Sequence, residues 1–527
     1  MTADLLLTNA RVLTLNPQQL MANAVAVSGE TILAVGDATV LRSLSGPKTQ
    51  VIDCNGQTLM PGFVDAHLHL LALAGSLTGV DCSEATVHSI DDLKVVISRQ
   101  AAQTPPGEWI RGYGYDDLSL REARHPTRWD LDSATSQHPV RLNHRTGHGT
   151  VLNSRGLALV GISQNTPDPI DGIIQREPTS GEPTGLIFEM AGFLTERLSS
   201  EPDRQDEGIS ALNQKLLEYG ITSVQDAGPN NDPARWSVFR DLVDRERLLS
   251  RVTMMAGARH LEEFTNAGMA WGCGYDRLRL GHAKIMLTMT TGDLYPAPLV
   301  LRALVSECHQ ARFPVAIHAV EGEAVTAAAR ILGDDRFLRD SGDDSKLCDR
   351  IEHCSECTTD VLGLVRASGA MVVTQPGFIY WNGDRYLSRV EPEMLPHLYP
   401  VDSWLSAGVS VAFSSDAPVI DPNPWLGIYA AVTGCTKSQA HFSKHQANSR
   451  KSGISVLGAL RLYTIGGACA EGTEQVKGSI QAGKLADLIL VDADPTRVNE
   501  AALKDIKTVL TMIGGKVVWE RGSPRKD

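Results

Sequence analysis

His67 and His69 end an apolar run, Pro61-Gly62-Phe63-Val64-Asp65-Ala66-His67-Leu68-His69-Leu70. In a β-strand, side chains i and i+2 share a face. Two imidazoles at the end of a buried strand therefore point into one space, which is how a divalent metal site begins. The plainer alternative is two unrelated histidines near a turn. Against it stands the recurrence of ligand-type residues at later strand ends. Lys284 ends a fourth strand candidate, His318 a fifth and His353 a sixth, and Asp416 follows an eighth. Each alone has an ordinary explanation: a satisfied core histidine, a lysine reaching for solvent, an Asx turn or helix cap. Together they point to one metal centre, provided a fold gathers them.

That fold is legible as alternation. The strand candidates are Phe63–His67, Ile221–Asp226, Val252–Ala256, Leu278–Ile285, Val315–His318, Arg350–His353, Met371–Thr374 and Val409–Ser414, with helical patterns such as Gly208–Leu217 and Glu323–Leu332 between them. Eight strands alternating with helices predict an α/β fold, a (β/α)8 TIM barrel whose strand ends converge on one mouth. Both chain ends are β-rich instead. Leu5–Leu7, Arg11–Thr14, Ala24–Ser28 and Thr31–Val35 lie at one end. Asp487–Val491, Thr508–Ile513 and, after the hairpin signal Gly514-Gly515, Lys516–Trp519 lie at the other. The expected division is a small β-sandwich from 1–60 and 471–527 around a catalytic barrel at 61–470. Residues 71–201 break the alternation; they leave the C-terminal end of the first strand, where barrel active sites lie, and contain the strand-like Pro139–Asn143. The expectation is a lid carrying substrate contacts, the alternative a surface insertion for oligomer contacts.

Composition excludes several classes. The 527 residues carry 49 Lys plus Arg against 62 Asp plus Glu, a formal charge of -13. That balance argues against a nucleic-acid surface or a polybasic membrane patch. Nine scattered Cys do not make a disulfide framework and suit a reducing compartment. Cys354-Ser355-Glu356-Cys357 has no second CxxC, so it reads as two partly buried thiols at the start of a helix rather than a zinc knuckle. The first residues lack a basic n-region and a cleavage site, and no apolar stretch is long enough to span a bilayer. A cytoplasmic protein is expected.

With these segments assembled, the chain resembles the amidohydrolase superfamily, and within it the YtcJ-like metal-dependent amidohydrolases. The resemblance rests on Pro61–His69, Gly220–Gly228, Ile351-Glu352-His353, Ser414–Val419 and Gly478–Asp487. The insertion adds His138-Pro139-Val140, Gly147-His148 and Asn153-Ser154. It implies that His67 and His69, with Asp416, hold the more buried of two metal ions, and that His318 and His353 hold the second. Lys284 would bridge them as a carboxylated lysine. The resemblance further implies hydrolysis of a carbon–nitrogen bond, most simply in a small-molecule amide. Metal-activated water would be the nucleophile and Asp416 the proton shuttle to the leaving nitrogen. His148 matches a family position and would donate to the substrate oxyanion. Zinc is the expected ion, with Mn, Fe or Co also suited to these ligands. A homodimer or larger homo-oligomer follows family habit.

Three departures keep alternatives open. His318-Ala319-Val320-Glu321 resembles the superfamily's nucleobase deaminases, in which the Glu shuttles protons beside one metal. A mononuclear deaminase of an aminated heterocycle using His318 and Glu321 is the second reading. A catalytically silent ligand-binding barrel is the third. The segment after Lys284, Ile285–Asp293, carries no familiar specificity signal, and His282 is either a partner to the site or a buried hydrogen-bonded histidine. Tyr113, Tyr115, Gln375, Tyr380, Trp381 and Trp425 are expected in loops bordering the mouth, the aromatic ones lining an apolar pocket.

Overall fold

The computed structural model describes residues 2–170, 172–197, 202–339, 348–442 and 454–523. Met1, Glu201 and 524–527, at the outer limits of three expected ranges, lie outside the described residues. Eight strands pair in parallel and in chain order: Phe63–Leu68, Ile221–Asp226, Arg251–Gly257, Leu278–Met286, Val315–Ala319, Arg350–His353, Met371–Thr374 and Val411–Phe413. This is the barrel expected from the alternation. Its strands are buried on both faces, and several read as apolar runs broken only by a few polar residues. Between the eighth strand and the first, the barrel closes through two backbone bonds at its mouth, Asp416 N–H to the His67 carbonyl and His69 N–H to the Ala417 carbonyl, both 2.8 Å.

The two chain ends form two further sheets. One contains Ala3–Thr8, Ala24–Ser28, Thr31–Gly36 and Ser45–Asp53. In the other, Thr58–Pro61 lies between Arg11–Leu13 and the C-terminal strand Leu488–Val491. Leu5, Val25, Leu59, Leu488 and Met512 share one core between them. Ser45–Asp53 was not foreseen because it is largely exposed and carries no alternation.

The insertion is a sheet of its own rather than a loop with one strand. Six strands run in the order Ile173–Arg176, Pro183–Phe188, Gly149–Leu152, Val140–His144, Ile110–Tyr115, Val80–Asp81, over a core that includes Ile97, Ile110, Leu131, Leu142 and Leu186. Its strand next to the edge, Ile-Arg-Gly-Tyr-Gly-Tyr, reads as a loop because of its glycines, and both have structural causes. A Cβ on Gly112 would come within 2.9 Å of Cys82 Sγ and Leu142 Cδ1. Gly114 has φ +86° at a register shift between Tyr113 and Tyr115. The extra residue puts the two tyrosines on different sides, Tyr113 in the wall of a cavity and Tyr115 in the insertion core. All nine cysteines are free; Cys354 and Cys357 are fully buried in the turn after the sixth barrel strand, before the helix Thr359–Ser368. Among the described residues no helix is long and apolar enough to cross a membrane.

Candidate metal centre

One cavity of about 450 Å³ at the barrel mouth is lined by His67, His69, Lys284, His318, His353 and Asp416 together. His67 and His69 project from the end of the first strand with ring centroids 5.5 Å apart. Their Nε2 atoms lie 3.5 and 3.2 Å from Asp416 Oδ1. One ligand atom from each of these three residues falls within 4.8 Å of the other two. His353 extends the cluster: its ring is 4.8 Å from that of His67 and 4.4 Å from that of His318. Lys284 lies inside the fourth strand, two residues before its end.

Regular strand geometry does not by itself aim all of these inward. Glu352 and His353 are neighbours, so a continuous strand would send them to opposite faces. Both face the site. His353 has φ +68° and Asp416 φ +59°, left-handed conformations that turn the chain at the mouth. Glu352 holds His67 Nδ1. Its other partner is Arg350, which donates from Nε at 2.7 Å and from Nη2 at 3.0 Å. With Nδ1–H donated to a carboxylate, His67 presents Nε2 as a lone pair toward the cavity. Gln375 does the same for His353, its Oε1 accepting from Nδ1 at 2.9 Å.

The electrostatics suit cations. Burial pushes the imidazoles of His67, His318 and His353 below their ordinary range, so they stand neutral, as ligands must be. Burial opposes the charge of Asp416, but the hydrogen bond from His69 and the surrounding histidines hold its carboxyl well below the usual carboxylate range. Burial lowers the Lys284 ammonium to about 8, against the opposing pull of Glu352 and Asp416. Two atoms test the fit. Lys284 Nζ and His353 Nε2 are buried and have no hydrogen-bond partner among the described residues. A buried nitrogen left unpaired costs about 1–3 kcal/mol. Donation to a metal, directly or through a carboxylated amine, satisfies both, and the set of imidazole, carboxylate and amine is one a divalent ion accepts.

The remaining expected residues divide. Tyr113 and His148 line the cavity. His148 Nδ1 is 2.8 Å from Glu189 Oε1, which also accepts from Thr290 Oγ1 at 2.8 Å. Burial would lower His148, but Glu189 raises it above its ordinary value. Gln375 acts behind His353 rather than in the wall. Glu321 stands half-buried where the helix Gly322–Arg339 begins, outside the lining, although His148 feels its charge. Four aromatic expectations are misplaced, Tyr115 among them, since it ends a strand and packs in the insertion core. Tyr380 and Trp381 belong to a helix, Gly377–Arg389, not a loop; they pack on one another, and Tyr380 on Tyr429, outside the lining. Trp425 packs edge-on against Phe63, at the far end of the first strand from His67. Their apolar character serves helix packing. His282 hydrogen-bonds the Cys348 carbonyl at 3.0 Å and does not reach the cavity.

Sequence reading missed Glu352, Arg350 and Glu189. A signal existed for the first two: charged residues at i and i+2 within a strand otherwise fit for burial. Glu189 carried none. A second acidic group, Asp116, Asp117 and His144, lies in the insertion, where Asp116 is taken by Arg145 and Arg385 and Asp117 by His144.

The model of the amidohydrolase family matches residues 50–519. An N-substituted formamide deformylase of Arthrobacter pascens is 30% identical, with 98% of each chain covered. A Bacillus subtilis protein designated as an amidohydrolase, YtcJ, is 26% identical over 94% of this chain and 96% of its own. In fold, a metal-dependent hydrolase from Pyrococcus horikoshii superposes with a TM-score of 0.75 at 24% identity, covering 94% of this chain and 99% of that one.

Proposed function

The chain belongs to the amidohydrolase family, and from that premise we propose that it hydrolyses the amide bond of a small molecule, with Asp416 carrying the proton between water and the leaving nitrogen. The observation that carries this reading is the gathering of His67, His69, Lys284, His318, His353 and Asp416 on one cavity, with two of their buried nitrogens unpaired. His67, His69 and Asp416 would hold one divalent ion and His318 and His353 a second, with a carboxylated Lys284 between them. Zinc fits the ligand set. Ions held there would lower the pKa of water and polarise a carbonyl oxygen.

The chain's own residues supply the rest. Asp416 is ionised and beside His69, so it takes a proton from the attacking water as the new C–O bond forms. It then delivers that proton to the nitrogen as the C–N bond breaks; an amide nitrogen leaves poorly unless protonated. His148 donates from Nε2 to the carbonyl oxygen. Its Nδ1–H is committed to Glu189, so donation from Nε2 requires the imidazolium, and Glu189 favours that form. The insertion supplies Tyr113, Arg141, Asn143 and His148 to the cavity wall.

The similarity to a formamide deformylase makes N-substituted formamides the first compounds to assay. Metal-loaded protein should release the amine from such formamides or from other acyl amines, with about two ions per chain. Ammonia release from aminated heterocycles with one ion per chain, and no amine from any amide, would replace this reading with deamination.

A further inference from the structure

The insertion wall carries a cation with no carboxylate partner among the described residues. Strands Ile110–Tyr115 and Val140–His144 run parallel, with Arg111 beside Arg141 and Tyr113 beside Asn143. Tyr113, Arg141 and Asn143 line the same cavity as the metal ligands. Arg141 Nε donates to Asn143 Oδ1 at 3.0 Å, and Thr150 Oγ1 holds that oxygen from the other side at 3.1 Å. The guanidinium is therefore oriented, yet among the described residues no carboxylate pairs with it. The acids of the cavity wall are committed elsewhere. Glu189 serves His148 and Thr290, and Asp81 accepts from Ser83 N and Thr86 Oγ1. The neighbouring Arg145 has its own partner, Asp116, at 2.8 Å. A half-buried guanidinium beside a second one, with no counter-charge, is unfavourable unless the cavity receives an anion.

We propose that the substrate carries a carboxylate in addition to its scissile amide, and that Arg141 binds it. This rests on the amide-hydrolysis reading and narrows it to N-acylated amino acids and related amido acids. Arg suits the task because its planar fork meets a carboxylate through two parallel hydrogen bonds. Arg141 is then a specificity-determining residue, placed by Asn143 and Thr150.

A matched pair tests the inference. N-formylphenylalanine and N-formylphenethylamine differ only by the carboxylate. Metal-loaded wild-type protein should prefer the acid in kcat/KM by about tenfold or more, and Arg141→Gln should shrink that preference by about 10–100-fold, chiefly through KM. Arg141→Lys, which keeps the charge but not the fork, should fall between. Equal turnover of the two amides by the wild type, or an unaltered preference in Arg141→Gln, would overturn the assignment. Calorimetry with hydrocinnamate, a carboxylate without an amide, separates failure of the inference from failure of the hydrolysis reading. If neither amide is cleaved, weaker hydrocinnamate binding by Arg141→Gln than by wild type still supports the carboxylate site. Equal binding by the two proteins, or none to either, rejects it.

Discussion

Glu352→Gln isolates what the residue behind the metal ligands does. Arg350 spends all five N–H groups: Nε on Glu352 Oε1, Nη1 on Gln225 and the Ala470 carbonyl, and Nη2 on the Ala66 carbonyl and Glu352 Oε2. Glu352 is its only ion-pair partner among the described residues, and both side chains are fully buried. Glu352 Oε2 also accepts from His67. Glutamine has one acceptor where glutamate has two. It will keep its oxygen at the Oε2 position, where two donors converge, and turn its NH2 toward Arg350 Nε. One charge-assisted bond is lost, a donor faces a donor, and His67 is held by a neutral acceptor. Loss of a carboxylate behind a metal-binding histidine costs about 10–100-fold in metal affinity, or about 1.4–2.8 kcal/mol. The assay is metal retained per chain during titration with a competing chelator, measured alongside the melting temperature. A variant that melts lower but holds metal within about twofold of the wild type would refute the argument that Glu352 acts through His67. Removing one partner of a buried ion pair lowers stability in any case.

Other expectations follow from the same geometry. Asp416→Asn should cut turnover of a formamide substrate by about 100-fold or more while most metal stays bound; full activity would remove Asp416 from proton transfer. Lys284 reacts with carbon dioxide only as the neutral amine, so metal loading under a fixed pressure of carbon dioxide should speed up as pH rises through about 8, and ¹³C-labelled carbon dioxide should give a carbamate resonance that Lys284→Ala lacks. Absence of that resonance from the active wild type would exclude the modification. Glu189 raises the His148 pKa; activity that needs the imidazolium is present below that pKa and lost above it, so Glu189→Gln should move the alkaline limb of the pH profile to lower pH. An unmoved limb would assign it to another group.

What was legible in the sequence follows from how local each signal is. The barrel strands could be read because strands buried on both faces write themselves as apolar runs such as Val315–Ile317 and Met371–Val373. The residues of the candidate site could be read in part because a strand end fixes where His67 and His318 point, whereas the direction of His353 depends on its left-handed backbone, φ +68°. The insertion sheet could not, since the glycines of Ile110–Tyr115 answer to contacts with Cys82, Leu142 and Ser83, which are distant in the chain or on another strand. The pairing of Glu189 with His148 spans two strands of that sheet and depends on a left-handed backbone at Glu189, φ +57°. Tyr380 and Trp381 misled for the opposite reason. Aromatic character looks the same in a pocket wall as on the buried face of a helix.

The left-handed residues at the mouth connect the fold to the chemistry. Non-glycine residues in this region cost on the order of 1–3 kcal/mol unless their surroundings determine them, and His353 and Asp416 are both found there. The surroundings are visible. Cys354, itself at φ +50°, donates its N–H to the Ala319 carbonyl at 3.0 Å, pinning the turn after His353 to the neighbouring strand. Asp416 N–H and His69 N–H form the closing seam of the barrel. Beneath it, buried Asp65 accepts from Ser415 N at 3.0 Å and His67 N at 3.2 Å. Barrel closure and ligand placement are therefore made by the same short segments. A ligand in such a segment cannot shift without opening the seam, so the cluster is organised before any ion arrives. The reorganisation that a flexible mouth would demand on binding is met during folding instead, and this pre-organisation lets three neutral imidazoles and one buried carboxylate share so small a volume.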